Sequence, residues 1–152
     1  MKKTVLLLLI LSMLLSLASC GEEPSPKEML SELSSVLSLE GVIYSPDIPE
    51  GGDGYITEEL FSDIFLYYGE PPKSYAIMLN SRTDTPTECA VFVCSGTVEL
   101  HAVIDACNER MKLLTAKERG LLIVSGSIVF YSTLEDRDRV RVEWTKILRA
   151  HT

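Results

Sequence analysis

Glu88-Cys89-Ala90-Val91-Phe92-Val93-Cys94 decides how this chain folds. In an extended chain, successive side chains point to opposite faces. Ala90 and Phe92 then face one way, Val91 and Val93 the other, and both pairs are apolar. Such a strand is expected to be covered on both faces and to sit centrally in its sheet. Upstream, residues 74–79 read as a strand, and Asn80-Ser81-Arg82-Thr83-Asp84-Thr85-Pro86 is a turn-rich link between the two. Downstream, Ser95 or Thr97 is placed to cap a helix with the stripe Leu100, Val103, Ile104, Cys107, Met111 and Leu114. Glu99, Asp105, Asn108, Glu109 and Lys112 fall on its other side. Residues 121–124 and 128–131 flank Ser125-Gly126-Ser127, a hairpin signal. Ser132-Thr133-Leu134-Glu135 has the capping-box pattern and opens a last helix with Val140, Trp144, Ile147 and Leu148 inward. Residues 140–144 also read as an alternating strand.

Towards the N-terminus, residues 27–39 carry Met29, Leu30, Leu33, Val36 and Leu37 at helical spacing, with Gly41 as the expected cap. Residues 42–55 hold Pro46, Pro49, Gly51, Gly52 and Gly54, and read as a loop. Thr57 is the expected N-cap of a helix over 58–68 with the stripe Leu60, Phe61, Ile64, Phe65 and Tyr68. Gly69 and Pro71-Pro72 end it. Helices interspersed with hairpin pairs give the α+β class. The expectation is one small domain over residues 28–152, with a mostly antiparallel four-stranded sheet packed with three to four helices. The whole chain has 152 residues, is 46% hydrophobic and 24% charged, and carries a formal charge of −8. That composition excludes a disordered acidic chain, and the charge argues against nucleic acid or an anionic surface as a partner.

Met1-Lys2-Lys3 followed by the apolar run 5–17 has the form of an export signal. The 16 residues from Thr4 to Ser19 would make a helix of about 24 Å. A bilayer core is about 30 Å thick, so the run is too short to span it. The run ends in Leu17-Ala18-Ser19-Cys20, which resembles a bacterial lipobox. The resemblance implies removal of residues 1–19, cleavage between Ser19 and Cys20, and attachment of lipid to the Cys20 thiol. Two acyl chains anchor a protein stably where one does not. Lys2 and Lys3 are the charged residues removed with the signal, so the charge moves from −8 to −10. Residues 20–27 read as a flexible tether. The expected place is the extracytoplasmic face of a cell membrane.

From Glu59 onward the pattern resembles a family of small bacterial lipoproteins with an uncharacterised domain, domain of unknown function 4358. The residues that carry the likeness are Leu66-Tyr67-Tyr68-Gly69, Glu88-Cys89-Ala90-Val91-Phe92, residues 103–110 ending in Glu109-Arg110, and Leu122-Ile123-Val124-Ser125-Gly126-Ser127-Ile128-Val129. Ser127 and Ile128 depart from the family's polar-then-aromatic pair, and the connection 113–120 is shorter than its usual length. The resemblance implies fold and location, and no activity.

No motif for a catalytic, cofactor or metal site stands out. Cys89 and Cys94 lie about 16 Å apart in an extended strand, beyond the roughly 7 Å that a disulfide tolerates. Cys94–Cys107 and Cys89–Cys107 remain open, against three buried thiols acting as small hydrophobes. Cys94 and His101 form a candidate thiol–base pair. His101 and Asp105 are i, i+4 and offer two metal ligands. Asp47, Glu50 and Asp53 offer loop oxygens to Ca²⁺ without EF-hand spacing. Ser95-Gly96-Thr97 offers a helix start to an anion. Tyr44, Tyr55, Tyr67, Tyr68 and Tyr75 gather around the first loop and second helix, at a binding surface or at a core rim. Three functions are compatible with these features. The first is a tethered non-catalytic binding domain, the second a small envelope hydrolase or thiol-dependent enzyme using Cys94 and His101, and the third a structural accessory of an envelope complex.

Overall fold

The computed structural model describes residues 25–72, 74–80, 87–114 and 120–151. The export signal, the Ser19–Cys20 cleavage site and the start of the tether lie outside them, as do most of the 80–86 link and of the 113–120 connection. Strand β3 (Thr87–Val93) is buried at every residue and lies third of five in the sheet. The whole order is α1 (Pro26–Leu37), β1 (Val42–Tyr44), α2 (Glu58–Phe65), β2 (Ser74–Asn80), β3, α3 (Thr97–Leu113), β4 (Leu121–Ser125), β5 (Ile128–Ser132) and α4 (Arg137–His151). The sheet runs β1-β2-β3-β5-β4 and every neighbouring pair is antiparallel. β3 and β4 are therefore parallel to one another, linked through α3, with β5 inserted between them. The protein is a small α+β domain.

The sheet has five strands, where four are expected from sequence, because β1 adds an edge. Val42, Ile43 and Tyr44 pair with Leu79, Met78 and Ile77. Three residues are too few to show alternation, and flanking Gly41 and Pro46 make the segment read as loop. Gly41 is not a helix cap. A Cβ there would stand 2.8 Å from the Leu79 carbonyl oxygen, so glycine lets the chain enter β1 against β2. α1 instead ends on Ser38 at φ 54°, with the Leu39 N–H donating to the Ser34 carbonyl at 2.9 Å. It begins at Pro26, capped by Ser25, inside the stretch expected to be tether.

Alternation along β3 divides the core into two clusters. On the first face Cys89, Val91 and Val93 meet Met29, Leu30 and Leu33 of α1 and Val140, Trp144 and Ile147 of α4. The Trp144 indole stacks on Phe130, with centroids 4.2 Å apart. On the second face Ala90 and Phe92 meet Phe61 and Phe65 of α2, Val103 and Cys107 of α3, and Tyr75 and Tyr131. Residues 140–144 are helical, so the strand alternative fails: Val140, Trp144 and Ile147 share the helical stripe that Phe130 and its neighbours cover.

Several helix boundaries differ from expectation. α2 starts as expected, with Leu60 N–H donating to Thr57 Oγ1 at 3.1 Å. It stops at Leu66 in the left-handed region, φ 51°, which swings Tyr68 out to 93% exposure and off the apolar stripe. α3 is capped by Gly96 without a side-chain bond, not by Ser95 or Thr97. Ser132 belongs to β5, and the Asp136 carboxylate accepts from the Arg139 N–H at 3.1 Å in the manner of an N-cap.

Candidate functional site

The thiol–base pair is not assembled. Cys94 follows β3 directly, its N–H donating to the Ser127 carbonyl at 2.9 Å, and is buried. Burial first, then the Glu99 carboxylate, push its thiol up to about 11. A nucleophilic cysteine needs the opposite shift. His101 is exposed on α3. Cys107 and Cys89 are also free and buried, each pushed up by burial and then by Glu88. Cys89 lies in the first cluster and Cys107 in the second, so the sheet separates them.

The other sequence candidates are dispersed. His101 and Asp105 are both exposed, and among the described residues no group of three or more His, Cys, Asp or Glu side chains could hold a metal. Asp47 is held by Ser45, whose hydroxyl donates to it at 3.3 Å and accepts from its N–H at 3.2 Å, while Glu50 and Asp53 are exposed. At the start of α3 an internal carboxylate takes the place of an external anion. The Ser95 N–H and hydroxyl both donate to Glu99, the latter at 2.9 Å. Among the tyrosines, Tyr67 and Tyr75 enter the aromatic cluster around Phe61, and Tyr68 does not. No helix among the described residues is long and apolar enough to cross a membrane.

The principal buried polar group is Glu88. It is 2% exposed. Arg110 of α3 forks onto it, Nε to Oε1 and Nη2 to Oε2, each at 2.8 Å. The Tyr131 hydroxyl donates to Oε1 at 2.7 Å. The Glu88 backbone is tied as well, its N–H donating to Thr133 Oγ1 at 2.9 Å and its carbonyl accepting from the Thr133 N–H at 2.8 Å. A buried carboxylate survives only when paired and hydrogen-bonded, and this one has both. The bond to Glu88 also strengthens the hold of Arg110 on its proton. Burial and then the Glu88 charge keep Tyr131 protonated well above the ordinary phenol range. The arrangement is a structural lock between strand and helix. In the sequence Glu88 and Arg110 belong to two separate motifs, and nothing there joins them. Their separation by 22 residues has no periodic signal.

Two of the hollows on this second side of the sheet reach residues of the aromatic core. A groove of about 430 Å³ lies between the end of α2 and α3, with Phe65, Tyr67, Ala102 and Ala106 as walls and Asp105 and Glu109 among its polar residues. A second hollow, of about 420 Å³, is lined by Pro46, Glu58, Glu70, Pro71, Pro72 and Tyr75. Tyr75 is 2% exposed, and its hydroxyl is the one buried side-chain polar atom without a hydrogen-bond partner among the described residues. Compared with known families, curated proteins and solved structures, the chain gives no match.

Proposed function

We propose that this chain is a membrane-anchored bacterial lipoprotein whose folded domain is a non-catalytic, extracytoplasmic binding module. One observation carries the proposal: Leu17-Ala18-Ser19-Cys20 ends the apolar run, and the N-cap Ser25 of α1 follows Cys20 by only five positions. A chain of that length reaches less than about 20 Å. Lipid on Cys20 would hold the domain close to the headgroups, while a charge of −10 would keep it off an anionic surface. A binding role is favoured over thiol catalysis by the state of Cys94, a buried thiol pushed up to about 11, and by the exposed position of His101. Membership of the lipoproteins with domain of unknown function 4358 belongs to the same proposal. The segments that suggest it fall at the end of α2 and on β3, α3 and the β4–β5 hairpin.

The test is intact-mass spectrometry of membrane fractions from cells making the wild-type chain or Cys20→Ala. The wild type is expected to lack residues 1–19 and to carry a lipid-sized added mass, and the variant to lose both the mass and the membrane. An untrimmed, unmodified wild-type N-terminus overturns the proposal. An accessory role in an envelope complex is favoured by one further observation. Tyr68, Leu66 and Leu113 project from the rim of the groove, all well exposed. Crosslinking in intact membranes would give a discrete larger adduct that Tyr68→Ser and Leu113→Ser abolish.

A further inference from the structure

The two edges of the sheet are finished differently. β1 is three residues long, and the loop after it folds back on its outer side. The Ser45 N–H donates to the Gly54 carbonyl at 2.9 Å, and Gly54 packs so closely on the Ile43 carbonyl that a Cβ has no room. β4 has no such cover. It pairs with β5 at every residue without a bulge, and no described residue outside β5 hydrogen-bonds to it. Natural edge strands are guarded by charge, proline, a bulge or a covering loop. Leu121-Leu122-Ile123-Val124-Ser125 holds neither charge nor proline, and Val124 is 44% exposed.

The ladder fixes which backbone groups point outwards. The Cys94 N–H donates to the Ser127 carbonyl, so Ser127 faces β3. Facing alternates along an antiparallel strand. Val129 and Tyr131 therefore also face β3, while Ile128, Phe130 and Ser132 face β4. Their partners Ser125, Ile123 and Leu121 spend their backbone bonds inwards. Leu122 and Val124 turn their N–H and carbonyl groups away from the sheet. The open edge thus presents donors and acceptors at two positions, one on each side of Ile123. Side chains alternate as well: Ile123 packs against the first cluster and Leu122 against the second.

We infer that this edge pairs with the β4 of a second copy of the chain, antiparallel, about a two-fold axis at Ile123. That register sets Leu122 opposite the partner's Val124 and Val124 opposite the partner's Leu122. Each pair exchanges both of its backbone bonds, and every other antiparallel register brings fewer of the outward groups together. Apolar side chains meet on both faces, Ile123 with the partner's Ile123 on one and Leu122 with the partner's Val124 on the other. The chain as a whole carries −8, which opposes self-association, and β4 is an uncharged strip through which two copies can meet. A foreign extended peptide would gain the same backbone bonds. The match of position 122 with 124 about one centre is a property of two identical strands. Two strands of this length bury less than the standard interface of about 1,600 Å². The association is therefore weak in dilute solution and grows where copies are concentrated, as lipid on Cys20 would concentrate them. The inference goes beyond the proposed anchor and does not depend on it.

The experiment is sedimentation of the full-length chain in density-matched neutral detergent, over about 10 to 500 µM, where weak pairing is visible. The wild type is expected to pass from monomer to dimer across that range. Val124→Pro removes an outward N–H and no bond to β5, and Val124→Lys sets a charge on the edge. Each should weaken the dimer at least about tenfold and keep the cooperative thermal transition of the domain. Val42→Lys, at a similarly exposed position on the covered edge, should change it less than about twofold. Register is read by mild oxidation on a Cys20→Ala background, where the remaining native cysteines are buried. Ile123→Cys meets its own copy and should give a covalent dimer, whereas Val124→Cys faces Leu122 and should give little. A monomer throughout, a dimer that survives both Val124 variants, or better crosslinking through Val124→Cys than through Ile123→Cys overturns the inference. A chain that stays monomeric yet captures an added extended peptide along β4 assigns the edge to a foreign strand, and overturns the second copy.

Discussion

The two faces of the sheet are built by different rules. Under α1 and α4 the contacts are aliphatic and aromatic apart from the buried Cys89 thiol, and Trp144 and Phe130 form their centre. Under α2 and α3 the core is aromatic and also polar. It holds the Glu88–Arg110–Tyr131 lock, the buried thiols of Cys94 and Cys107, and the unpartnered Tyr75 hydroxyl. Hollows open on both sides, one between the end of α2 and α3, another between the end of α1 and the start of α4. The first face is what the domain needs in order to fold. The second carries buried polar groups, of which the Tyr75 hydroxyl has no hydrogen-bond partner among the described residues. A purely apolar core is easier to satisfy than a polar network, which must be complete to be tolerated.

Core substitutions break that contrast most directly. Trp144→Ala leaves a large cavity in the first face and should cost about 4 kcal/mol in urea unfolding. Arg110→Ala removes a side chain that is itself partly exposed, yet it leaves the Glu88 charge buried without its counter-ion. A cost of about 3 kcal/mol or more is expected. Conservative repair separates the two. Trp144→Phe should recover much of the loss, because the first face responds to volume. Arg110→Lys should recover little, because a point charge cannot reproduce the two-pronged contact. The triple change Glu88→Leu, Arg110→Met, Tyr131→Phe removes the whole network at similar volume. It should return to within about 1 kcal/mol of wild type. A triple variant as unstable as Arg110→Ala would show that the network contributes net stability and is not merely costly to break.

The same division explains what could be read in advance. The stripes Met29, Leu30, Leu33 and Val140, Trp144, Ile147 were legible because each belongs to one helix and repeats at helical spacing. So was the central place of β3, since both its alternating sets are apolar. The lock was not legible, because Glu88 at the head of a strand and Arg110 near the end of a helix look like ordinary surface charges until the helix folds back. Strand β1 escaped because three residues carry no period and glycine and proline surround them. Ser38 displaced Gly41 as the cap of α1, since the glycine was already needed where the chain closes on the Leu79 carbonyl. The Tyr75 hydroxyl left no trace in sequence beyond a gathering of tyrosines. A missing partner is a property of three-dimensional surroundings.

Alkaline titration sharpens the contrast at intermediate size. Cys94 is pushed up to about 11 from 9.0, and Tyr75 to about 12 from 10.0, both chiefly by burial. Tyr67, Tyr131 and Cys107 move in the same direction. In the first cluster Cys89 alone does so among the described residues. A raised pKa means that the folded chain keeps protons which the unfolded chain has already released. Stability is therefore present in full below about pH 9 and falls as pH rises through 11 and 12. Thermal midpoints measured from pH 7 to 11.5 should be flat at first and then fall steeply. Tyr75→Phe should soften the fall above pH 10. At pH 7 it should also raise stability by about 1 kcal/mol, since a buried hydroxyl without a partner is removed. A loss at pH 7 would mean that the hydroxyl has a bonding partner in solution.

The smallest effect lies at the helix ends, where one comparison can be made within a single backbone geometry. α1 ends on Ser38 at φ 54° and α2 on Leu66 at φ 51°. Left-handed backbone costs a non-glycine residue on the order of 1 kcal/mol. Glycine removes that cost but loses more conformational freedom on folding. The net gain expected for Ser38→Gly is about 0.5 kcal/mol, read as a rise in thermal midpoint. Leu66 sits in the same conformation but also lines the groove beside Tyr67 and Leu113. Leu66→Gly should relieve the same backbone strain and lose those contacts, so its gain should be smaller or absent. The difference between the two variants measures what the Leu66 side chain does for the groove. Equal gains would mean that its strain serves nothing beyond ending the helix, and that the contrast between the faces stops at the core.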